Sequence, residues 1–217
     1  MPRTQGTPDR TIERLSFYRR LLRAESEKGT KNIYSHQLAA LAGVTPAQIR
    51  RDLTYVGYSG NPQHGYLVDQ LRDAVERYLS PRRQVHLALV GVGNLGRAIL
   101  AYFSGRHRKL VIRAAFDSDP NKAGRVLQGC RCYPMEALEE VVRREDIVAA
   151  IITVPAGEAQ KVADSLSAAG VKGILNFAPA TLRVGGDVYV ENKDLTMAME
   201  KVAFFAQARQ ETSEVAS

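Results

Sequence analysis

The stretch that most restricts what this chain can become is 85–103, VHLALVGVGNLGRAILAYF. It opens as an apolar Val/Leu run with the character of a strand buried on both faces. It breaks at Gly91, Val92, Gly93, Asn94, Leu95 and Gly96, then continues with apolar residues at helical spacing, Leu95, Ile99 and Phe103. A G-x-G-x-x-G between strand and helix gives each glycine a task. Gly91 permits the sharp turn, Gly93 lets the backbone approach a pyrophosphate, and Gly96 lets the helix pack on the strand. The helix N-terminus then offers free N–H groups and the positive end of its dipole to the phosphates.

A second apolar run, 110–116, ends at Asp117, 21 residues after Gly96. That spacing suits the carboxylate that accepts hydrogen bonds from an adenosine ribose, and no arginine follows it to receive a 2′-phosphate, so NADH / NAD+ is the predicted cofactor. Beyond it come a short turn or helix at 120–123, a helix at 134–144, a buried strand at 147–154, a helix at 156–169 and a strand at 171–177. Val188, Tyr189 and Val190 form a last strand. This alternation predicts an α/β fold, a Rossmann-like doubly wound parallel sheet that binds ligands at the carboxyl ends of its strands. Thr153, Val154 and Pro155 at the end of one strand, and Asn176 in the next, join the candidate cofactor residues.

The N-terminal third has a different character. Residues 1–83 carry 14 Lys and Arg against 8 Asp and Glu, the remainder 16 against 15, so nearly all of the net +7 lies in that third. Such asymmetry predicts a polyanionic partner, most simply nucleic acid. No window approaches 18 uninterrupted apolar residues and the N-terminus is polar, which predicts neither membrane span nor signal peptide and a cytoplasmic protein. Cys130 and Cys132, read as part of a loop, and four scattered histidines make neither a disulfide framework nor a metal site.

Residues 1–6 read as a disordered tail. Thr7, Pro8 and Asp9 start a helix running to about Glu27, with Thr7 as cap and with Ile12, Leu15, Tyr18 (or Arg19) and Leu22 on one face. Arg14, Arg20 and Arg23 lie elsewhere around it. Ser35 caps a short helix closed by Gly43, and Thr45-Pro46-Ala47-Gln48 is a capping box opening a third helix to about Tyr55. Ile49, Leu53 and Val56 form its inner stripe, leaving Ala47, Arg50, Arg51 and Thr54 on the opposite face. Two helices joined by a short turn, the second presenting paired arginines, make a helix-turn-helix whose arginines reach guanine edges or phosphates. The turn-rich segment 58–66 suits a wing, a β-hairpin beside the recognition helix. Leu67, Leu71, Val75 and Leu79 mark a fourth helix, followed by a polar linker at 80–83.

The final helix, Leu195 to about Arg209, is apolar around much of its circumference: Leu195, Met197, Met199, Val202, Phe204 and Phe205. A helix apolar on more than one face is buried on more than one face, which predicts a second subunit as its cover.

In combination, a basic winged helix, GVGNLG, FDSDPNKAG, TVPAGEAQK, KGILNFAP and a C-terminal helix resemble the Rex family of bacterial redox-sensing transcriptional repressors, over about 10–207. The resemblance implies three parts: a winged-helix DNA-binding domain at 1–83, a Rossmann domain for NADH / NAD+ at 84–194, and a domain-swapped dimerisation helix and tail at 195–217. It implies a homodimer that binds operator double-stranded DNA when NADH is scarce and releases it on NADH binding. Ala47, Gln48, Arg50, Arg51, Thr54, Gly65 and Tyr66 would face DNA. Tyr102, Phe177 and Pro179 would lie near the nicotinamide, and Arg20, Tyr102 and Asp194 would form the switch. One departure stands out. Where the family carries a basic wing tip before Gly-Tyr, this chain has Asn61-Pro62-Gln63-His64.

An NAD-dependent dehydrogenase is the alternative, because Tyr189 and Lys193 spell Y-x-x-x-K. That chemistry needs the two side chains one helical turn apart, so that Lys lowers the Tyr pKa. Here the segment reads as a strand, and about 110 residues leave almost no room for a substrate domain, so the reading is of a protein that is not an enzyme.

Overall fold

The computed structural model describes residues 6–61, 63–105 and 109–215; the expected disordered tail lies outside them apart from Gly6, as does Pro62 of the wing tip. The chain divides into two compact units, Met1–Arg82 and Arg83–Ser217.

The first unit comprises α1 (Asp9–Glu27), β1 (Asn32–Ile33), α2 (Ser35–Ala42), α3 (Pro46–Val56), β2 (Tyr66–Leu67) and α4 (Val68–Leu79). Leu15, Tyr18 and Leu22 of α1 are fully buried and pack with Leu38, Ile49, Leu53, Leu71 and Val75 from the other three helices. Several local expectations are corrected. Ile12 points outward, and Thr11 takes the inner position instead. Thr7 does not cap α1; its hydroxyl pairs with the Tyr78 hydroxyl at 2.6 Å, and the helix begins from Pro8. Ser35 is the first residue of α2 rather than its cap, and the Tyr34 N–H donates to Gln37 Oε1 at 2.8 Å. Leu67 is exposed in β2, and Val68 begins the buried stripe of α4. The wing hairpin is reduced to a single bridge, Asn61 to Gly65, while β2 pairs antiparallel with β1.

What joins α1 to α3 is a charge. Asp52 of α3 is fully buried. Arg14 donates to both its oxygens at 2.7 Å, the Tyr18 hydroxyl donates at 2.9 Å and Gln48 Nε2 at 2.8 Å. The Thr45 hydroxyl accepts the Gln48 N–H at 3.1 Å, but the Gln48 side chain turns to Asp52 instead of completing the predicted box. Each lone pair of the buried carboxylate thus has a donor, the condition under which a buried charge is tolerated.

The second unit holds β3 (Val85–Val90), α5 (Asn94–Phe103), β4 (Leu110–Asp117), β5 (Val126–Leu127), β6 (Cys130–Pro134), α6 (Leu138–Arg144), β7 (Ile147–Ile152), α7 (Ala156–Ala168), β8 (Gly173–Asn176), β9 (Tyr189–Asn192) and α8 (Leu195–Val215). The sheet order is β5-β6-β4-β3-β7-β8-β9, parallel throughout except for the β5–β6 pair. Alternation along the strands feeds two cores. Ala88 and Val90 pack toward α6 and α7, whereas Leu89 packs toward Leu100 of α5. Three predictions change here. Cys130 and Cys132 are not in a loop but on β6, both buried, with Arg131 exposed between them, and burial pushes the Cys130 thiol up to about 12. The helix expected from Pro134 opens with a 3-10 turn, Met135–Ala137. On α5, Leu95 is 37 % exposed, and Leu100 is the residue that reaches the core.

The Asp52 cluster gives a testable acid sensitivity. Burial alone would raise this carboxyl, but the hydrogen bonds from Arg14, Tyr18 and Gln48 outweigh it and hold the group below the usual range. A depressed folded-state value adds stability above the unfolded pKa of about 3.9, and that stability is lost as pH falls through the folded value. Denaturant titrations from pH 7 to pH 2 should therefore show the helical unit weakening below about pH 4. Asp52→Ala should cost about 3–5 kcal/mol at pH 7 and show a flatter acid profile, because it leaves Arg14 and Tyr18 without their partner.

Candidate dinucleotide site and nucleic-acid interface

The glycine turn is fixed by its neighbours. Gly91 has φ +93°, and a Cβ there would stand 2.7 Å from the Thr153 carbonyl oxygen. A Cβ at Gly96 would fall inside the van der Waals shell of the Gly91 carbonyl. The Thr153 hydroxyl donates to that same carbonyl at 2.7 Å. Gly93 differs: nothing in the protein lies within 4 Å of where its Cβ would be. Gly91 and Gly96 are thus required by the fold, while Gly93 borders open space at the start of α5.

Asp117, at the end of β4, is buried. Its Oδ2 accepts the Val92 N–H at 2.7 Å and Lys122 Nζ at 3.0 Å, and its Oδ1 accepts the Asp119 N–H at 2.9 Å. Burial would raise this carboxyl, but the Asp119 and Val92 amides and Lys122 together bring it below the usual range, so it is ionised at neutral pH. Lys122 had no role in the sequence reading; its place five residues after Asp117, across a turn, was the only signal. A cleft of about 550 Å³ brings together Gly91, Gly93, Asp117, Thr153, Val154 and Pro155. Its wall continues along Lys122, Met135, Val162 and Lys161. An anion-binding helix start, a carboxylate for sugar hydroxyls and an apolar slot for a base thus share one cleft, and these residues fit an adenine dinucleotide.

The remaining predicted cofactor residues lie around it. Val92 is buried and contributes its N–H to Asp117, whereas Asn94 and Leu95 are exposed at the start of α5. Tyr102, near the end of α5, is 54 % exposed. Asn176 is buried, and its carboxamide is spent on the Ala178 and Ala180 carbonyls, Asn192 Oδ1 and the Ala178 N–H. It shapes the loop that carries half-buried Phe177 and exposed Pro179, and has little left to offer a ligand.

In the helical unit, Ala47, Arg50, Arg51 and Thr54 form the exposed face of α3, with Gln48 half-buried at its border. Arg50 Nη1 donates to the Ser35 hydroxyl at 3.2 Å, and the Thr54 hydroxyl donates to the Arg51 carbonyl at 2.7 Å. Gly65 has φ +71°, and a Cβ there would stand 2.6 Å from the Ile33 carbonyl. Tyr66, expected among the DNA-facing residues, is buried in the core. The wing tip is strapped down: the Tyr34 hydroxyl donates to the Gln63 carbonyl and Asn32 Nδ2 to the His64 carbonyl, both at 2.8 Å. This leaves the Gln63 and His64 side chains exposed.

Of the predicted switch residues, Arg20 is exposed on α1 with its guanidinium 5.3 Å from the Phe17 ring centroid. Asp194 acts as a helix cap, a role the sequence reading missed: its Oδ1 accepts the Met197 N–H at 2.9 Å and opens α8. Leu195, Met197, Met199, Val202, Phe204 and Phe205 of α8 are 54–67 % exposed. Among the described residues no helix is long and apolar enough to cross a membrane, and no three metal-binding side chains cluster.

The family model described as "CoA binding domain" matches residues 82–180, and one described as "Putative DNA-binding protein N-terminus" matches 6–54. The redox-sensing transcriptional repressor Rex of Carboxydothermus hydrogenoformans is 43% identical over 197 residues, 91% of this chain and 95% of the relative. That of Listeria welshimeri serovar 6b is 40% identical over 207 residues, covering 95% and 96%. Among solved structures, RSP, a Rex-family repressor, superposes with TM-score 0.86 at 29% identity over 99% of this chain and 100% of that one. RSP in complex with beta-NAD+ and operator DNA gives TM-score 0.88 at 30% identity, covering 98% of each. With both units matched in one order along nearly the full length, the chain belongs to the Rex family of redox-sensing transcriptional repressors.

Proposed function

We propose that this chain is an NADH-sensing repressor: it binds operator DNA through α3 and the wing tip when NADH is scarce and lets go when NADH fills the glycine-turn cleft. The observation that carries the reading is one chain with an ionised ribose carboxylate, Asp117, tied to the Val92 amide of the turn, and a separate helical unit with an arginine face. Relatives supply the same pairing, since RSP has been solved with beta-NADH and with beta-NAD+ and operator DNA. Asp117, the start of α5 and the Thr153–Pro155 turn would hold the dinucleotide, which supplies the redox state to be read. Nothing in the cleft is asked to transfer a hydride. Tyr189 and Lys193, the dehydrogenase alternative, belong to an extended segment, and both side chains engage Glu191, at 2.8 and 2.6 Å.

We read the functional protein as a homodimer whose α8 helices are exchanged between subunits. The support is an α8 that exposes six large apolar side chains. Asp194, Arg20 and Tyr102 remain the proposed switch, with one amendment: Asp194 Oδ1 already caps α8, so a new partner would take the other oxygen or cost about 1 kcal/mol of cap.

The deciding experiment is operator binding titrated with NADH against NAD+, because a ligand that binds both states equally shifts nothing. NADH should release DNA at concentrations where NAD+ does not, and equal effects would reject the reading. Ionised Asp117 should repel a 2′-phosphate, so NADH should bind at least about tenfold more tightly than NADPH, roughly 1.4 kcal/mol. Asp117→Ala should narrow that gap and Lys122→Ala should widen it, both readable by calorimetric titration. Removing residues 195–217 should give a monomeric or aggregating protein in light scattering; a well-behaved dimer would reject the exchanged helix.

A further inference from the structure

Gln48 lies where the exposed face of α3 meets its buried face, and its side chain is already committed. Nε2 donates to Asp52 Oδ1 at 2.8 Å. A carboxylate only accepts hydrogen bonds, so the amide nitrogen must face it and the carboxamide cannot flip. Asp52 is itself immobile, buried and held by Arg14 and Tyr18. Among the described residues, the second N–H and the Oε1 of Gln48 have no hydrogen bond within the protein. A planar group of fixed orientation thus keeps one donor and one acceptor beside the arginine face.

We infer that Asp52 is a positioning residue that locks Gln48 as a base reader, so one base pair in each half-site is specified by this carboxamide and not by the arginines alone. The inference rests on the DNA-binding reading above. Adenine presents N7 as acceptor and its N6 amino group as donor in the major groove, the complement of one N–H and one carbonyl oxygen. Guanine presents two acceptors, N7 and O6. A free glutamine turns its amide to suit guanine, whereas one held by Asp52 would set Oε1 against O6. The lock converts a tolerant side chain into one that prefers adenine, and it removes the cost of freezing a flexible side chain on binding. Arg50, tethered to Ser35, is held in a comparable way, while the Arg51 guanidinium has no hydrogen bond or ion pair among the described residues. Arg51 is therefore the more adaptable group, suited to phosphate.

The test is a binding scan of the full-length protein over an operator in which each A·T pair is changed in turn to G·C. Wild type should show one pair per half-site where the change costs about tenfold or more. Replacing that adenine by 7-deazaadenine, which lacks the N7 acceptor, should also weaken binding. Gln48→Ala should abolish both penalties at that pair and leave the others unchanged. Asp52→Asn, whose amide can face Gln48 either way, should shrink the same A-over-G preference. In the free protein, one Gln48 carboxamide proton should exchange slowly by NMR, and this protection should vanish in Asp52→Asn. If Asp52→Asn does not fold, that proton in wild type and the Gln48→Ala scan still decide. Equal loss on all sequences in Gln48→Ala, or an unprotected carboxamide, would overturn the inference. Failure of the wild type to bind any operator would instead remove the DNA-binding reading on which it rests.

Discussion

One carbonyl oxygen organises the larger unit. The Gly91 carbonyl accepts the Thr153 hydroxyl from the end of β7 and lies against the α-carbon of Gly96 at the start of α5. The ends of β3 and β7 and the head of α5 therefore converge on one point. A methyl group at 96 would push the helix off the sheet, and with it the amides that face the cleft. The same contact explains the outer face of α5. With Gly96 pressed inward, Leu95 is turned outward by the roughly 100° step between helical residues, and Tyr102 follows two turns later. Their exposure is a geometric consequence of how closely α5 packs.

The helical unit is organised by the opposite kind of group. Within a unit of net positive charge, one buried carboxylate is held by Arg14, and it belongs to α3, the helix proposed to face DNA. Apolar residues of similar volume in place of the whole Arg14–Asp52 pair would be as stabilising or more so, since a buried ion pair seldom exceeds a hydrophobic replacement of both partners. What an apolar residue cannot do is fix a polar neighbour. Asp52 sets the rotation of α3 against α1 through Arg14 and Tyr18 and orients Gln48 at the helix border. The stability it forgoes is returned as definition of the surface it supports.

The parts legible in the sequence were those with a fixed spacing. The glycine turn, the acid 21 residues on, the alternation of strands and helices and the Thr45-Pro46 helix start each follow from a local rule. What escaped was settled by distant partners. Asp52 carries no local signal, because nothing nearby announces that Arg14, 38 residues earlier, will meet it. Asn176 lies at a strand end and Tyr66 beside the wing, positions that suit ligands, but their neighbours draw one into shaping a loop and the other into the core. Cys130 and Cys132 read as a loop because five residues with an arginine in the middle make a weak strand pattern; pairing with β4 decides the matter. Asp194 matches a switch acid by resemblance, and its position one residue before a helix also carries a local cap signal.

The last helix poses a problem that its own unit does not solve. At about 100° per residue, Leu195, Met199 and Val202 fall on one side of α8, Met197 and Phe204 on the opposite side, and Phe205 between them. All six are more than half exposed. Covering them is worth about 1.5–3 kcal/mol each before the costs of association, too much to leave in water. A flat surface would satisfy one stripe and strand the other. Only a groove that encloses the helix, or a second copy of the same helix together with the body it belongs to, buries both. That requirement is why the proposed exchange of α8 is the arrangement its apolar pattern favours. In that proposed arrangement Asp194, which caps α8, would sit at the junction between the sheet-bearing unit and the exchanged helix.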